Sequence, residues 1–478
     1  MGKSASIQVR KGDIIETKIE RLAFGGKGVS RYNGLVIFVD DAIPEQQVRV
    51  RIIKKKKNYA EAKVVELVRQ SPYYREPFCK HFQICGGCRW QHLSYEEQLR
   101  WKQIQVLESL KHMAGIDPTV VEPIIASPQQ KWYRNKMEYT FSSHRWLSSE
   151  EIATGERYER NFALGLHVRN FFDRVFDIRY CYLQSPLSMD ILDRIRSLTK
   201  ASGLPAYSIR SHNGCWRFLV IRDGKNTNQL MVHLITTEYS EVEHKVDKMA
   251  DELRIHFPEI TTFIHSISSK KAQVAAADYS RILWGEGAIE ERLGNIRFRI
   301  SAHSFFQTNP IGAQKLYACV KDFAECRGNE LIWDMYCGTG SIALSLADQA
   351  KQVVGFELVQ EAVEDAYRNA ELNGVYNCRF RTGDIRDLLR TGKAMEFGGK
   401  PDIVISDPPR AGMHPQVVKA LLRLRPKRII IVSCNPSSMS RDLSILKDGY
   451  HIVRVRPFDL FPHTPHIECV AKLERKNP

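Results

Sequence analysis

Three groups of residues in this chain have the types and spacing for chemistry. The first is a thiol at the lip of an apolar run. Ile429, Ile430, Ile431 and Val432 are β-branched without interruption, as in a strand buried on both faces of a parallel sheet. Asn435 and Pro436 end the run, because Pro cannot donate to a ladder and biases the residue before it toward extended backbone. Catalytic and ligand groups of open α/β sheets gather at such carboxyl ends. Cys434 is therefore a candidate nucleophile, set against the commoner fate of an inert, half-buried thiol.

The second group is Cys79-Lys-His-Phe-Gln-Ile-Cys85-Gly-Gly-Cys88. Three thiolates this close can wrap one metal centre, with the glycines letting the backbone curl around it. A fourth ligand is needed. Cys181, in Ile178-Arg-Tyr-Cys-Tyr-Leu, is the first choice, with His81 and His92 as rivals. Spacing alone leaves zinc and an iron–sulfur centre both open.

The third group is a glycine turn with acids after successive strands. Leu331–Asp334 reads as a strand, Met335-Tyr-Cys-Gly338-Thr-Gly340-Ser341 as a tight turn, and Val353–Glu357 as the next strand. Glycines there let backbone amides approach a ligand, and Glu357 is placed to accept from ribose hydroxyls. Asp384, after a third strand, meets the adenosine end. A dinucleotide would favour a third glycine, which the stretch around Leu344 lacks. S-adenosylmethionine is the favoured ligand.

The elements that must carry these groups divide the chain into three. Residues 1–70 hold short strand candidates at Ile14–Ile19, Leu35–Val39, Val48–Ile53 and Lys63–Val68, with Gly and Asn-Gly turns, as in an OB-like β-barrel. The basic run Arg49, Arg51 and Lys54 to Lys57 beside Tyr59 suits phosphate contact, or else is a solvated face. Residues 75–300 read as a central α+β region. In it, Ser94-Tyr-Glu-Glu97 predicts a capping box opening a helix to about Ala114, with Leu99, Ile104, Leu107 and Leu110 as its buried stripe. Trp132-Tyr133-Arg134-Asn135-Lys136 interleaves aromatics with cations, a mix that can stack a base and hold phosphate, or form one strand of a sheet. Trp216–Arg222 and Gln229–Thr236 predict a hairpin. Residues 301–478, entered by a helix from Ile311 to Cys326, alternate strand and helix as in a Rossmann-like, doubly wound α/β sheet.

Lys and Arg number 70 against 55 Asp and Glu, a net +15 that suggests a polyanionic partner, nucleic acid before membrane. No apolar run approaches a bilayer span, and Met1 to Ile7 contains no signal-peptide core. Gly2 with Ser6 fits a myristoylation pattern only loosely. An odd count of 11 Cys without an export signal predicts reduced thiols in the cytoplasm.

With these residues in view, the chain resembles the RNA uracil-5-methyltransferase family over nearly its whole length. The matching motifs are Asp407-Pro-Pro-Arg-Ala-Gly412, Ser433-Cys434-Asn435-Pro436, His466-Ile-Glu468-Cys469 and Phe306-Gln307-x-Asn309. The glycine turn, Tyr133-Arg-Asn-Lys136 and the Cys79, Cys85, Cys88 and Cys181 spacing match it too. The first 70 residues resemble a TRAM domain, an RNA-binding barrel, although Pro44-Glu45-Gln46 replaces the usual Pro-Gly-Glu. The resemblance implies that the Cys quartet holds a [4Fe–4S] cluster, with a structural role. It places methyl-donor contacts at Gln307, Tyr336, Ser341, Glu357, Asp384 and Asp407, the nucleophile at Cys434 and the base at Glu468. It implies a cytoplasmic monomer that methylates C5 of a uridine, in 23S rRNA before tRNA because of the barrel. A base inside a helix is out of reach, so the RNA must open or the base flip out. Two other classes were weighed. A radical methylthiotransferase also joins a cluster to a TRAM barrel, but expects Cys-x-x-x-Cys-x-x-Cys and leaves Cys434 unexplained. A non-catalytic RNA-binding scaffold would have no use for Cys434 and Glu468.

Overall fold

The computed structural model describes residues 9–275 and 277–477; the Gly2 and Ser6 pattern lies outside them. The N-terminal six-stranded sheet runs from Ile14–Lys18 to Tyr59–Arg69. Along Gln47–Lys55, Val48, Val50 and Ile52 point into its core while Arg49 and Arg51 point out, the period-two alternation of a half-buried strand. Glu45, where the usual pattern has Gly, takes φ 70°. Its amide donates to the Ile19 carbonyl at 2.8 Å and its carboxylate pairs with Lys18 at 2.7 Å.

The central unit is a seven-stranded sheet in which Trp216–Asp223 and Leu230–Thr236 pair antiparallel, as expected. The helix expected from Ser94 spans Tyr95–Ser109 and continues as one π-helical segment to Ala114. Only half of the capping box forms: Ser94 Oγ accepts from the Glu97 amide at 3.4 Å, while the Glu97 carboxylate turns to Arg100. The expected stripe is also corrected. Leu99, Ile104 and Leu107 are only partly buried, and the inward face carries Gln98, Trp101, Lys102, Gln105 and Val106. This helix shares a core with the last unit, where Val106, Leu110 and Ala114 pack with Met335, Val354 and Ile431. It is thus built into the C-terminal sheet rather than into a self-contained 75–300 unit.

The C-terminal sheet has seven strands. In chain order they stand third, second, first, fourth, fifth, seventh, sixth, from Cys378–Thr382 at one edge to Tyr450–Phe458 at the other. The first five are parallel. The last two pair antiparallel, because the connection from Phe458 to Glu468 is too short for a crossover helix. Ile429 to Val432 are each 0–1% exposed. Each such side chain contributes on the order of 1.5–3 kcal/mol of transfer free energy, against a strand-propensity scale spanning about 1 kcal/mol. Burial therefore places this strand inside the sheet. The sheet order reverses between Leu331–Met335 and Ile403–Ser406, the switch point where ligand crevices of such folds open.

Candidate active site

A cavity of about 1180 Å³ opens along the carboxyl ends of the parallel strands. Of the eight residues expected to carry catalysis or donor binding, seven line it: Gln307, Tyr336, Glu357, Asp384, Asp407, Cys434 and Glu468. Ser341 does not line it. It begins the helix after the glycine turn, beside the buried Tyr317 hydroxyl.

The reacting end is built by strand register. Ser433 stands opposite Cys469 in the antiparallel ladder. Cys434 follows Ser433 just past its strand end and Glu468 precedes Cys469, so this pairing brings both to one end of the ladder, at the cavity. Cys434 is half-buried and Glu468 buried. Burial pushes the Cys434 thiol up to about 11, the carboxylates of Glu468 and Asp407 add to the rise, and the Arg410 guanidinium opposes it. Burial pushes Glu468 well above the ordinary carboxylate range, helped by the charge of Asp407. Asp407 itself is raised to about 7 by burial. The resting site therefore holds its protons: a covered thiol beside two carboxyls that compete to stay neutral.

The glycine-turn end is built from backbone. Tyr336, Gly338 and Gly340 all take left-handed φ values, at 65°, 54° and 83°. The turn brings the Gly338 amide to Glu357 Oε2 at 3.0 Å, while Leu358 and Val359 amides hold Oε1 at 2.7 and 3.0 Å. Glu357 is thereby oriented at the cavity wall with oxygen lone pairs to spare. Asp384 caps the next helix, accepting from the Arg386 amide at 2.8 Å. Gln307 is held through its carbonyl by Asn135 Nδ2 at 3.1 Å. Gly355, in the strand beneath, has no room for a side chain: a Cβ there would lie 2.5 Å from Phe380 and 2.7 Å from Cys337 Sγ.

Several lining residues had no assigned role in the sequence reading: Arg410, His303, Phe305, Phe461 and His466. Arg410 and His466 lay inside quoted motifs, but their direction into the cavity depends on loop geometry. The basic–aromatic segment is resolved by burial. Tyr133 is 1% exposed and donates to the Pro462 carbonyl, so it cannot stack on a base. Arg134 lines the cavity.

A second cavity, of about 630 Å³, is lined by Cys79, Cys85, Cys88 and Cys181 together. His81 lines it as well, with its Nε2 accepting from the Arg179 amide; His92 instead meets the Asp41 carbonyl. All four cysteines are free thiols. The Gly87 amide points at Cys85 Sγ at 3.3 Å, and such hydrogen bonds to sulfur suit a cluster ligand. Among the described residues no three or more His, Cys, Asp or Glu converge tightly enough for a single metal ion. The four cysteines, brought together from positions 79 to 88 and 181, share the wall of one cavity.

Residues 226–476 match the family profile described as tRNA (uracil-5-)-methyltransferase, and residues 8–65 match the TRAM domain. The chain is 41% identical over 468 residues to a protein of Nitratidesulfovibrio vulgaris named an uncharacterized RNA methyltransferase, covering 97% of each. It is 40% identical to one of the same name from Bacteroides thetaiotaomicron, covering 95% of this chain and 100% of that one. A crystal structure of Pyrococcus abyssi tRNA (uracil-54, C5)-methyltransferase with S-adenosyl-L-homocysteine superposes with a TM-score of 0.75. It is 29% identical, and the match covers 96% of this chain and 100% of that one.

Proposed function

Because the chain belongs to the tRNA (uracil-5-)-methyltransferase family, a family of RNA methyltransferases, we propose that it transfers a methyl group from S-adenosylmethionine to C5 of a uridine. Cys434 is the nucleophile and Glu468 the base. The observation that carries this reading is the strand pairing that brings Cys434 and Glu468 to one end of a ladder, inside the cavity that also holds Glu357.

Uracil C5 is too weak a nucleophile to attack a sulfonium methyl directly. Cys434 gives its proton to solvent and its sulfur adds to C6, leaving an enolate whose charge reaches C5. C5 then displaces the methyl group from the sulfonium, and S-adenosylhomocysteine leaves. Glu468 takes the C5 proton, the C5–C6 double bond re-forms and the thiolate departs. The Arg410 charge supports the thiolate, and the raised basicity of Glu468 suits proton abstraction. Glu357 and Asp384 accept from the adenosine part of the donor. Gln307, Tyr336 and Asp407 wall the space between donor and base.

Cys79, Cys85, Cys88 and Cys181 are the ligands for a [4Fe–4S] cluster. When bound it would tie together segments distant in sequence, and methyl transfer by this route moves no electron through it.

The barrel was the reason to expect 23S rRNA ahead of tRNA. The Pyrococcus abyssi enzyme acts on tRNA, and the part of this chain left out of its match is far shorter than residues 8–65. The barrel therefore does not separate the two RNAs, and the tRNA reading stands beside the rRNA one. Nucleoside analysis of both RNAs from cells with and without the protein decides between them. The chemistry is tested by two variants. Cys434→Ala should abolish methylation and covalent adduct while donor binding persists; Glu468→Gln should trap a methylated adduct. Turnover by either variant at the wild-type rate removes the assigned role.

A further inference from the structure

The connection 459–467 delivers Glu468 to the cavity and walls it with Phe461 and His466. What holds this connection comes from far away in the chain. His463 sits at φ 64°, a left-handed conformation that a non-glycine residue keeps only when its surroundings impose it. Its carbonyl accepts from the amides of Arg89 at 2.8 Å and Trp90 at 3.0 Å, the two residues after Cys88. Its amide donates to Gln98 Oε1 at 2.9 Å, and Gln98 Nε2 donates to the Trp90 and Leu93 carbonyls at 2.9 and 2.8 Å. One turn further along the helix, Lys102 Nζ meets Asp459 Oδ1 at 2.6 Å and the Phe461 carbonyl at 3.2 Å. Asp459 Oδ1 also accepts from the Phe461 amide at 3.0 Å.

Both side chains of the Lys102–Asp459 pair are fully buried. Desolvation cancels most of the attraction of such a pair, and apolar replacements are often as stable. Fold stability alone therefore does not account for a helix that turns Gln98, Lys102 and Gln105 inward while its leucines stay partly outside. What Gln98 and Lys102 add is direction, because Gln98 fixes the His463 amide and Lys102 fixes the Phe461 carbonyl of the connection.

We propose that Gln98 and Lys102 are positioning residues: they latch the 459–467 connection to the Cys-rich segment and thereby set Glu468 against C5 of the substrate. This rests on the reading of Glu468 as base. It makes the order of Cys79 to Cys88 a condition for proton removal as well as for fold, since the amides after Cys88 hold the carbonyl of His463, whose amide Gln98 holds.

The test uses two variants of the full-length protein. Gln98→Met keeps the volume and removes the amide. Lys102→Met combined with Asp459→Asn removes both charges, strands neither, and leaves an acceptor for the Phe461 amide. Donor binding, thermal midpoint, turnover at saturating RNA and covalent adduct are measured for each. Donor affinity should stay within about twofold of wild type and turnover should fall about a hundredfold, the scale of a small misplacement of reacting groups. Methylated adduct should accumulate, because proton removal is the slowed step. Wild-type turnover, slow turnover without adduct, or activity lost in step with donor binding would each overturn the latch. Failure of Glu468→Gln to trap an adduct would instead sink the base assignment on which the latch depends.

Discussion

Cys434 and Glu468 come together where two antiparallel strands end, each next in the chain to a member of the Ser433 and Cys469 pair. Burial and then the Glu468 carboxylate raise the Cys434 thiol, while burial and the Asp407 carboxylate raise Glu468. The pH behaviour of the site follows from these two shifts.

Alkylation of Cys434 by iodoacetamide should be slow at neutral pH and rise about tenfold per pH unit, because only the thiolate reacts. The rise should continue toward about 11, where burial has pushed the thiol. Removing the favourable charge by Arg410→Ala should slow alkylation further. Peptide mass spectrometry reads the rate at Cys434, and a flat profile near neutrality would contradict the covered thiol.

Resolution of the covalent adduct should have an acid limb far above the usual carboxylate range. Glu468 and Asp407 are both raised, so both are protonated below their shifted values, and a protonated Glu468 cannot accept the C5 proton. The rate should rise with pH through a limb well above the ordinary carboxylate range. Asp407→Asn deletes a negative charge that raises Glu468, so the limb should move to lower pH. Single-turnover kinetics across pH would show the shift; a limb near the ordinary carboxylate range in the wild type would refute it.

Gly355→Ala should destabilise the protein by about 1–3 kcal/mol, the cost of overpacking a filled core. Its Cβ meets Phe380 and Cys337 Sγ well inside contact distance. Because Cys337 lies in the glycine turn, donor affinity should fall too. Thermal unfolding and donor titration measure the two effects, and a variant of unchanged stability would mean the strand can shift freely.

The barrel's basic run should add to RNA affinity through charge alone. Arg49 is engaged by Glu16 and Glu66 and Lys54 by Glu61, while Lys56 and Lys57 are exposed. Lys56→Ala with Lys57→Ala should lower the salt slope of RNA binding by roughly 1–2, about 0.7–0.9 per phosphate released. Titrations at several salt concentrations check this; an unchanged slope would assign the run to a solvated face.

The anaerobically purified protein should carry about four irons and matching sulfide per chain. Cys181→Ser should lower that content and the thermal midpoint together. Stoichiometric zinc in place of iron would overturn the cluster assignment.

Much of the site was legible in the sequence because its signals are local. The strand Arg428–Ser433 announces itself by unbroken β-branched residues, and the turn after Leu331–Met335 by glycines that the structure indeed holds at positive φ. Ser341, placed by the resemblance, begins the helix after that turn and does not line the cavity. The helix Tyr95–Ser109 shows the limit most clearly. Apolar spacing pointed Leu99, Ile104, Leu107 and Leu110 inward; Leu110 is buried, and the other three are only partly covered.

Sequence by itself determined the elements, the glycine turn, the thiol at its strand end and the kinds of residue available for chemistry. These depend on steric and solvation preferences that act within a few residues. Tertiary structure alone decided which groups meet. Lys102 is buried because Asp459, 357 positions away, arrives to neutralise it, and Gln98 because the His463 amide, 365 positions away, hydrogen-bonds its side chain. A polar side chain gains a place in a core only when its partner is already there, and no local pattern carries that information.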